Sequence, residues 1–392
     1  MLRTARSLDR VIGVRDIERR VGIAGAAVVG VAFGMGRFCF GLTLPDLRVD
    51  PGLSTTGVPD AVLGLIAGGT FAGFLAGIIC APLLAARRGP RAPTTVGGVC
   101  GALGALVVVL APSPAVLAVG AVLAGSAAGW VWAPYSDLAA ALVARERRPR
   151  LLSFISTGTC GGLVVVAVVA VAAAGGWRAV WAAVAVCSTA AALLNLRWVP
   201  AVPPTPVADR QPVPWRALRL PALYAVVYQA GTAVAFTYSA DVATRAGLSA
   251  GVRPVLFVII GVLGLAGLFT GAMTARIGPP RVAAGCLLTI AVSLVLLALG
   301  ERSPVIALLA AAVFAAPYMV GAATLAVWTG SVVGSAPGQA LSAAMVVGAL
   351  GAVGAPVVVG ALVTAVGLPV LLVAFAVLCG GVGAGLVRSR ST

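Results

Sequence analysis

Ala86-Arg87-Arg88-Gly89-Pro90-Arg91 recurs as Ala275-Arg276-Ile277-Gly278-Pro279-Pro280-Arg281, with Arg276 standing 189 positions after Arg87. Two further echoes keep the same order. Ala133-Pro134-Tyr135 returns as Ala316-Pro317-Tyr318, 183 positions on, and Leu152-Ser153 returns as Leu341-Ser342, 189 positions on. Short strings of Ala, Gly, Pro and Arg are common in a chain of this composition. Three of them in one order at nearly one spacing are what a parallel internal repeat predicts.

The material between these echoes is apolar. Residues of the class AVILMFWYC make up 60% of the 392 positions, with 50 glycines in addition, and only 10% are charged. That leaves too little polar surface to clothe a water-soluble globule, which excludes a cytosolic enzyme and a disordered chain alike. A spanning helix needs about 20 apolar residues. Twelve such runs are read: Val21–Pro45, Val58–Ala85, Thr94–Ala111, Ala115–Val143, Leu151–Ala174, Trp177–Trp198, Leu220–Ala240, Arg253–Ala275, Val282–Leu299, Pro304–Trp328, Gln339–Val366 and Leu368–Val387. We number them spans 1 to 12. None alternates apolar and polar residues as a barrel strand does. The expected fold is all-α and integral to a membrane, with twelve helices in two pseudo-symmetric six-helix bundles.

All 27 basic residues are arginine, and the formal net charge is +16. On a soluble chain this would suggest nucleic acid, but the arginines sit in the gaps between runs. The first tail, loops 2–3, 4–5 and 8–9, the stretch after span 6 and the last tail hold 21 of them. The opposite loops hold five: Arg48, Arg178, Arg245, Arg253 and Arg302. By the positive-inside rule both termini are expected in the cytoplasm, with the arginines facing anionic lipid headgroups. The first twenty residues are polar and do not resemble a cleaved signal.

The expected organisation is therefore a tail over 1–20, a bundle over 21–198, a linker over 199–219, a second bundle over 220–387 and a tail over 388–392. The linker is set by Pro200, Pro203, Pro204, Pro206, Pro212 and Pro214, which favour extended chain. The seven cysteines are scattered singly and read as small hydrophobes. With no histidine, His-based metal sites, Ser-His triads and His proton relays are absent. No lysine is present to complete a phosphate-binding loop, which excludes an ATP-driven pump within the chain. No metal or cofactor is expected.

Twelve spans, a six-plus-six repeat, a central linker and the Arg-x-Gly turns after spans 2 and 8 resemble the major facilitator superfamily. Its turn reads Gly-x-x-x-Asp-Arg/Lys-x-Gly-Arg/Lys. Arg87 and Gly89 match in the first copy, where Pro82 and Ala86 replace the Gly and the Asp. Gly271, Arg276 and Gly278 match in the second, where Ala275 replaces the Asp. Gly34-Met35-Gly36-Arg37-Phe38 in span 1 is similar to a bacterial branch of the superfamily, mostly of unassigned substrate. The resemblance implies a secondary transporter working by alternating access and driven by a proton gradient, with spans 2, 5, 8 and 11 sliding past one another. Arg87, Gly89, Arg276 and Gly278 then belong to the gating turns. The exporter motif of span 5 needs Gly-Pro-x-x-Gly-Gly, and Gly158-Thr159-Cys160-Gly161-Gly162 lacks its proline.

Arg37 is the most informative single residue. It lies about three residues past the middle of span 1, roughly 4–5 Å from the bilayer centre. An arginine there costs about 2.5–3.5 kcal/mol on insertion scales, so something must compensate it. One reading is a contact for an anionic or carbonyl-bearing solute; the other is a structural arginine bonded to backbone carbonyls or a carboxylate. Asp137 lies roughly 16 Å away along the axis, too far for a direct pair. It reads either as a partner of the loop 4–5 arginines or as a coupling carboxylate. Asp46 and Asp241 read as solvated interface charges.

Trp130, Tyr135, Tyr228, Gln229 and Tyr318 are the other substrate-contact candidates, because amphipathic rings pack a solute and present one polar atom. Tyr224, Tyr238 and Trp328, nearer helix ends, read as interface anchors. The Pro-Tyr pairs of spans 4 and 10 suggest local bends. The sequence thus points to a transporter of a small polar or amphipathic solute, acting as a monomer. A transporter-like sensor or scaffold is the alternative, and a membrane-embedded enzyme is a more distant one.

Overall fold

The computed structural model describes residues 2–144, 146–204, 215–333 and 337–388, with side chains from residue 16 onward except those of 149, 337 and 338. Arg145, Arg210 and Arg390 lie outside the described residues, as do 205–214 of the linker; the side chains of Arg3, Arg6, Arg10 and Arg15 are likewise outside them.

Twelve helices are long and apolar enough to cross a membrane, and no strand occurs among the described residues. The observed spans are Asp16–Val49, Asp60–Arg88, Arg91–Val109, Pro114–Leu142, Arg150–Ala173, Trp177–Trp198, Trp215–Arg245, Val255–Ile277, Pro279–Gly300, Pro304–Val332, Gln339–Val366 and Leu368–Arg388. The number is even, so both chain ends emerge on one side, called here the terminal side. Large apolar residues exposed around the bundle, such as Leu65, Leu103, Val119, Val262 and Val377, form the surface presented to lipid. Helix starts use prolines at Pro114, Pro279 and Pro304, where the missing N–H has no intrahelical partner to lose. Span 7 starts at Trp215, directly after Pro214, so Arg216 and Arg219 stand on a helix and not in extended chain.

The duplication is written in the backbone. Gly89 and Gly278 end spans 2 and 8 at φ 80° and 84°, a region where any side chain is strained. Gly57 and Gly247 precede those spans at 84° and 87°, and Gly175 and Gly367 follow spans 5 and 11 at 98° and 82°. All six positive-φ glycines among the described residues therefore form three pairs separated by 189 to 192 positions.

Glycines also bring helices together within and between the halves. A Cβ on Gly34 of span 1 would come within 2.7 Å of the Cα of Gly162 on span 5. Between the halves, a Cβ on Gly64 of span 2 would meet Gly360 of span 11 at the same distance, and one on Gly261 of span 8 would meet the Cys160 carbonyl of span 5 at 2.9 Å. Small residues permit such approaches, which supply packing energy in lipid. The cysteines are free among the described residues; Cys39, Cys160, Cys286 and Cys379 are buried.

Three spans depart from a regular helix. Span 1 contains a π-helical segment, Gly30–Gly36. Span 4 tightens into a 3-10 turn at Ala127–Trp130 ahead of Pro134, which has no N–H for the carbonyl four residues back. Span 8 tightens likewise at Leu265–Phe269, without a proline. The bend expected at Pro317 does not divide span 10, which runs as one helix from Pro304 to Val332.

Candidate functional site

The π-helical segment Gly30–Gly36 ends at Arg37, on the span that contacts both span 5 and span 7. Wide turns of this kind re-aim the residue that follows and are frequent at functional sites. Arg37 is 9% exposed. Its guanidinium carbon lies 4.3 Å from the centroid of Phe74, 5.0 Å from Phe71, 5.7 Å from Phe33 and 5.9 Å from Phe38. One terminal nitrogen donates to Gln229 Oε1 of span 7 at 3.4 Å, and Nε has no partner. Among the described residues no carboxylate and no backbone carbonyl holds the guanidinium. Ring faces attract a cation, by about 0.5–2 kcal/mol depending on desolvation. They leave its charge uncancelled and its N–H donors largely unused.

Aromatic rings continue from this point across the two halves. Phe38 stacks on Phe236 of span 7, and Tyr318 of span 10 meets both edge-on, with centroids 5.7 and 4.8 Å away. The Tyr228 hydroxyl donates to the Tyr318 carbonyl, and Tyr224 stacks beneath Tyr228 with its own hydroxyl unpartnered. Gln229 and Tyr318 keep 8% of their surface exposed, close to the 9% of Arg37. The structure therefore brings together four of the six sequence candidates: Arg37, Tyr228, Gln229 and Tyr318.

Tyr135 and Trp130 lie elsewhere. Tyr135 is fully buried, and its hydroxyl donates to Asn195 Oδ1 at 2.7 Å. The Asn195 amide in turn donates to Thr94 and Thr95, so this hydroxyl joins spans 3, 4 and 6. Trp130 lines a lateral apolar groove with Gly73, Gly77, Cys100 and Ser126 of spans 2, 3 and 4. Tyr224, Tyr238 and Trp328 are not interface anchors: all three are buried, and Tyr238 donates to the Pro356 carbonyl of span 11. For the two tyrosines, a position near a helix end concealed that span 7 is buried without interruption from Val227 to Ala243.

The gating candidates are also placed. Gly89 and Gly278 cap their helices through N–H bonds to the Ala85 and Thr274 carbonyls. Arg87 and Arg276 are exposed and make no ion pair among the described residues. Asp137 is exposed and does not pair with the loop 4–5 arginines described: Arg147 binds Glu18, and Arg148 binds the Val143 and Ala140 carbonyls.

Asp46 and Asp241 correct the sequence reading most clearly. Neither is a solvated interface charge. Asp46 of span 1 binds Arg253 of the second half, which also donates to Thr244. Asp241, 2% exposed, binds Arg48 of span 1, which also binds Asp60 at 2.9 Å. Arg245 lies 3.1 Å from Asp241 and 3.2 Å from Glu301. Asp50 accepts from Trp177 and from Arg178 at 2.9 Å. This network closes the side opposite the termini and ties the halves together. One signal in the sequence pointed to it: the far side holds five acids, Asp46, Asp50, Asp60, Asp241 and Glu301, against its five arginines.

Two six-helix halves packed around a buried cationic and aromatic cluster, sealed by ion pairs at one end, define a polytopic membrane protein of transporter architecture. The profile of the Major Facilitator Superfamily matches residues 26–356, and the chain belongs to that family. Similar solved structures include a D-xylose–proton symporter, at 15% identity and a TM-score of 0.76 over 94% of this chain and 97% of the other. The nucleoside transporter NupG is similar at 12% identity and 0.74, over 96% and 100%. A bacterial homologue of the human lysosomal transporter Spinster, in an inward-facing and occupied conformation, is similar at 16% and 0.74, over 95% and 97%. These likenesses establish the fold. No curated relative matches the sequence.

Proposed function

We propose that the protein is a secondary active transporter of a small amphipathic solute bearing a carboxylate or carbonyl group, which Arg37 and Gln229 hold inside the aromatic cluster. The observation that carries this reading is the buried guanidinium of Arg37, which faces rings and one long amide contact instead of a counter-charge. An anionic group docking there cancels a charge that costs about 2.5–3.5 kcal/mol in the bilayer interior, and the rings bury the apolar remainder of the solute.

In this reading the halves rock about the site, and it opens to each side in turn. The arginine-rich terminal side faces the bacterial cytoplasm, the protein sits in the inner membrane, and the ion network closes the outer mouth. The proton gradient drives the cycle. Support comes from the likeness to the fold of a proton symporter and from Asp46 and Asp241, two carboxylates that pair with arginines of the opposite half.

The test begins with a thermal-shift screen of the purified protein against metabolites, since ligands of the folded form raise its apparent stability. Uptake of each hit is then followed in proteoliposomes with and without a pH gradient. Arg37→Ala inserts and folds but loses uptake, and Arg37→Lys keeps part of it. Unchanged uptake in Arg37→Ala refutes the role of Arg37; binding without uptake in the wild type indicates a sensor.

A further inference from the structure

A second site lies away from the aromatic cluster, where spans 1 and 5 leave the membrane on the terminal side. Glu18, Arg19, Gly22 and Ile23 of span 1 line a groove of about 590 Å³ with Arg147, Arg150, Leu151 and Phe154 of loop 4–5 and span 5. Its upper rim is cationic. Arg19 and Arg150 are exposed and have no partner among the described residues. Arg147 spends one nitrogen on Glu18 at 3.0 Å, leaving the rim with a net charge of about +2. Its floor is apolar, with Phe154 51% exposed.

Depth orders these residues. Ile23 follows Arg19 by four positions and Phe154 follows Arg150 by four, so each apolar residue shares a helix face with its arginine, one turn of about 5.4 Å further in. Both helices enter the membrane from this side, so the two arginines share the headgroup level and the two apolar residues share the level below it. Gly22 keeps the floor open: a Cβ there would come within 3.1 Å of Leu151 Cδ1 and 3.3 Å of Phe154 Cδ1.

We infer that this groove is a binding site for an anionic phospholipid, its phosphate held by Arg19, Arg147 and Arg150 and an acyl chain lying on Ile23, Leu151 and Phe154. A free phosphate would use the rim and leave the floor bare. A lipid uses both, and its charge complements the rim at the depth where headgroups lie. An occupied groove clips loop 4–5 to span 1 within one half of the protein, independently of what Arg37 binds.

Native mass spectrometry of the purified protein with phosphatidylglycerol and phosphatidylcholine vesicle lipids tests the site, with inorganic phosphate as a third arm. The wild type retains phosphatidylglycerol in preference to phosphatidylcholine and takes up no phosphate. Each of Arg19→Gln and Arg150→Gln weakens that preference about fivefold, the value of about 1 kcal/mol per arginine near an anionic surface. Gly22→Leu, which fills the floor and leaves the charges, weakens retention of both lipids. Arg87→Gln, on the same side but outside the groove, leaves the preference unchanged. Equal retention of the two lipids, an undiminished preference in both arginine variants, or phosphate uptake equal to that of the lipid overturns the assignment. Should the variants fail to fold, a photoactivatable phosphatidylglycerol is cross-linked to the wild type. Adducts are expected on peptides covering 19–23 and 147–154, and their absence from both overturns it equally.

Discussion

Arg37 and Gln229 stand 192 positions apart and meet at 3.4 Å, a separation close to the spacing of the repeat. Arg48 and Asp241, 193 apart, meet in the same way. The glycine pairs that mark the duplication lie 189 to 192 apart, so each contact joins a residue of span 1 to nearly its own counterpart in span 7. Counterparts meet where an axis relating two halves passes between them. The duplication thus built one kind of contact twice, at the aromatic cluster and in the far-side ion network, and divergence put unlike, complementary groups on its two sides.

Removing the charge at this axis should separate stability from function. Arg37→Leu replaces an unpaired buried cation with an apolar side chain, a change that is neutral or stabilising where burial is complete. The variant is expected to melt at or above the wild-type temperature in detergent. A double-mutant cycle with Phe74→Leu should return a coupling of about 1–2 kcal/mol for the ring at 4.3 Å. A coupling near zero would mean that the ring contributes packing alone.

Gly41 of span 1 lies so close to the Phe236 carbonyl of span 7 that no Cβ fits between them. Gly41→Ala should therefore wedge the halves apart on the far side. In a variant whose seven native cysteines are replaced by serine or alanine, a cysteine placed at Ser239, which is buried, is expected to react with a membrane-impermeant maleimide several-fold faster in the Gly41→Ala background. An equal rate in both backgrounds would show that the halves absorb the methyl without parting.

Asp241 serves arginines from both halves. Asp241→Asn leaves Arg48 with Asp60 and Arg245 with Glu301, but it removes the ion pair between spans 1 and 7. We expect a destabilisation of about 1–3 kcal/mol, read as a lower melting temperature. The exchange Arg48→Asp with Asp241→Arg should recover part of the loss if the pair itself is responsible. No recovery would locate the effect in Arg245.

Asp50 lies outside the spans, in the 50–59 loop. Burial raises its pKa, but donation from Trp177 Nε1, the Gly52 N–H and the Arg178 guanidinium outweighs this and holds the carboxyl below the ordinary aspartate value. Its folded-state pKa is depressed, so its contribution is complete above the unfolded value of about 3.9 and disappears as pH falls through the folded one. Asp50→Asn should thus melt below the wild type at pH 7, with the gap closing under about pH 4. A gap that widens on acidification contradicts this sign.

Much of the molecule was legible before any coordinate. Apolar runs of spanning length specify helices in lipid, because there every backbone polar group must be satisfied within its own segment, and the runs lie within a few residues of the helices observed. The echo around Arg87 and Arg276 exposed the duplication, and the isolation of Arg37 in an apolar run singled out a candidate site residue. Those readings are local: each follows from the transfer of a residue or a segment out of water.

Partners were not legible. Asp46 and Asp241 looked solvated, and Tyr224 and Trp328 looked interfacial, because their positions along a helix are known from sequence while the face each helix buries is not. Gln229 could be singled out, but its contact with Arg37 could not, since the axis that unites them exists only once the halves pack. Composition and periodicity determined that this chain is dissolved in a membrane as twelve helices. The tertiary structure alone decided which buried charges cancel and that the one on Arg37 does not, because pairing energies depend on distances that helix periodicity does not contain.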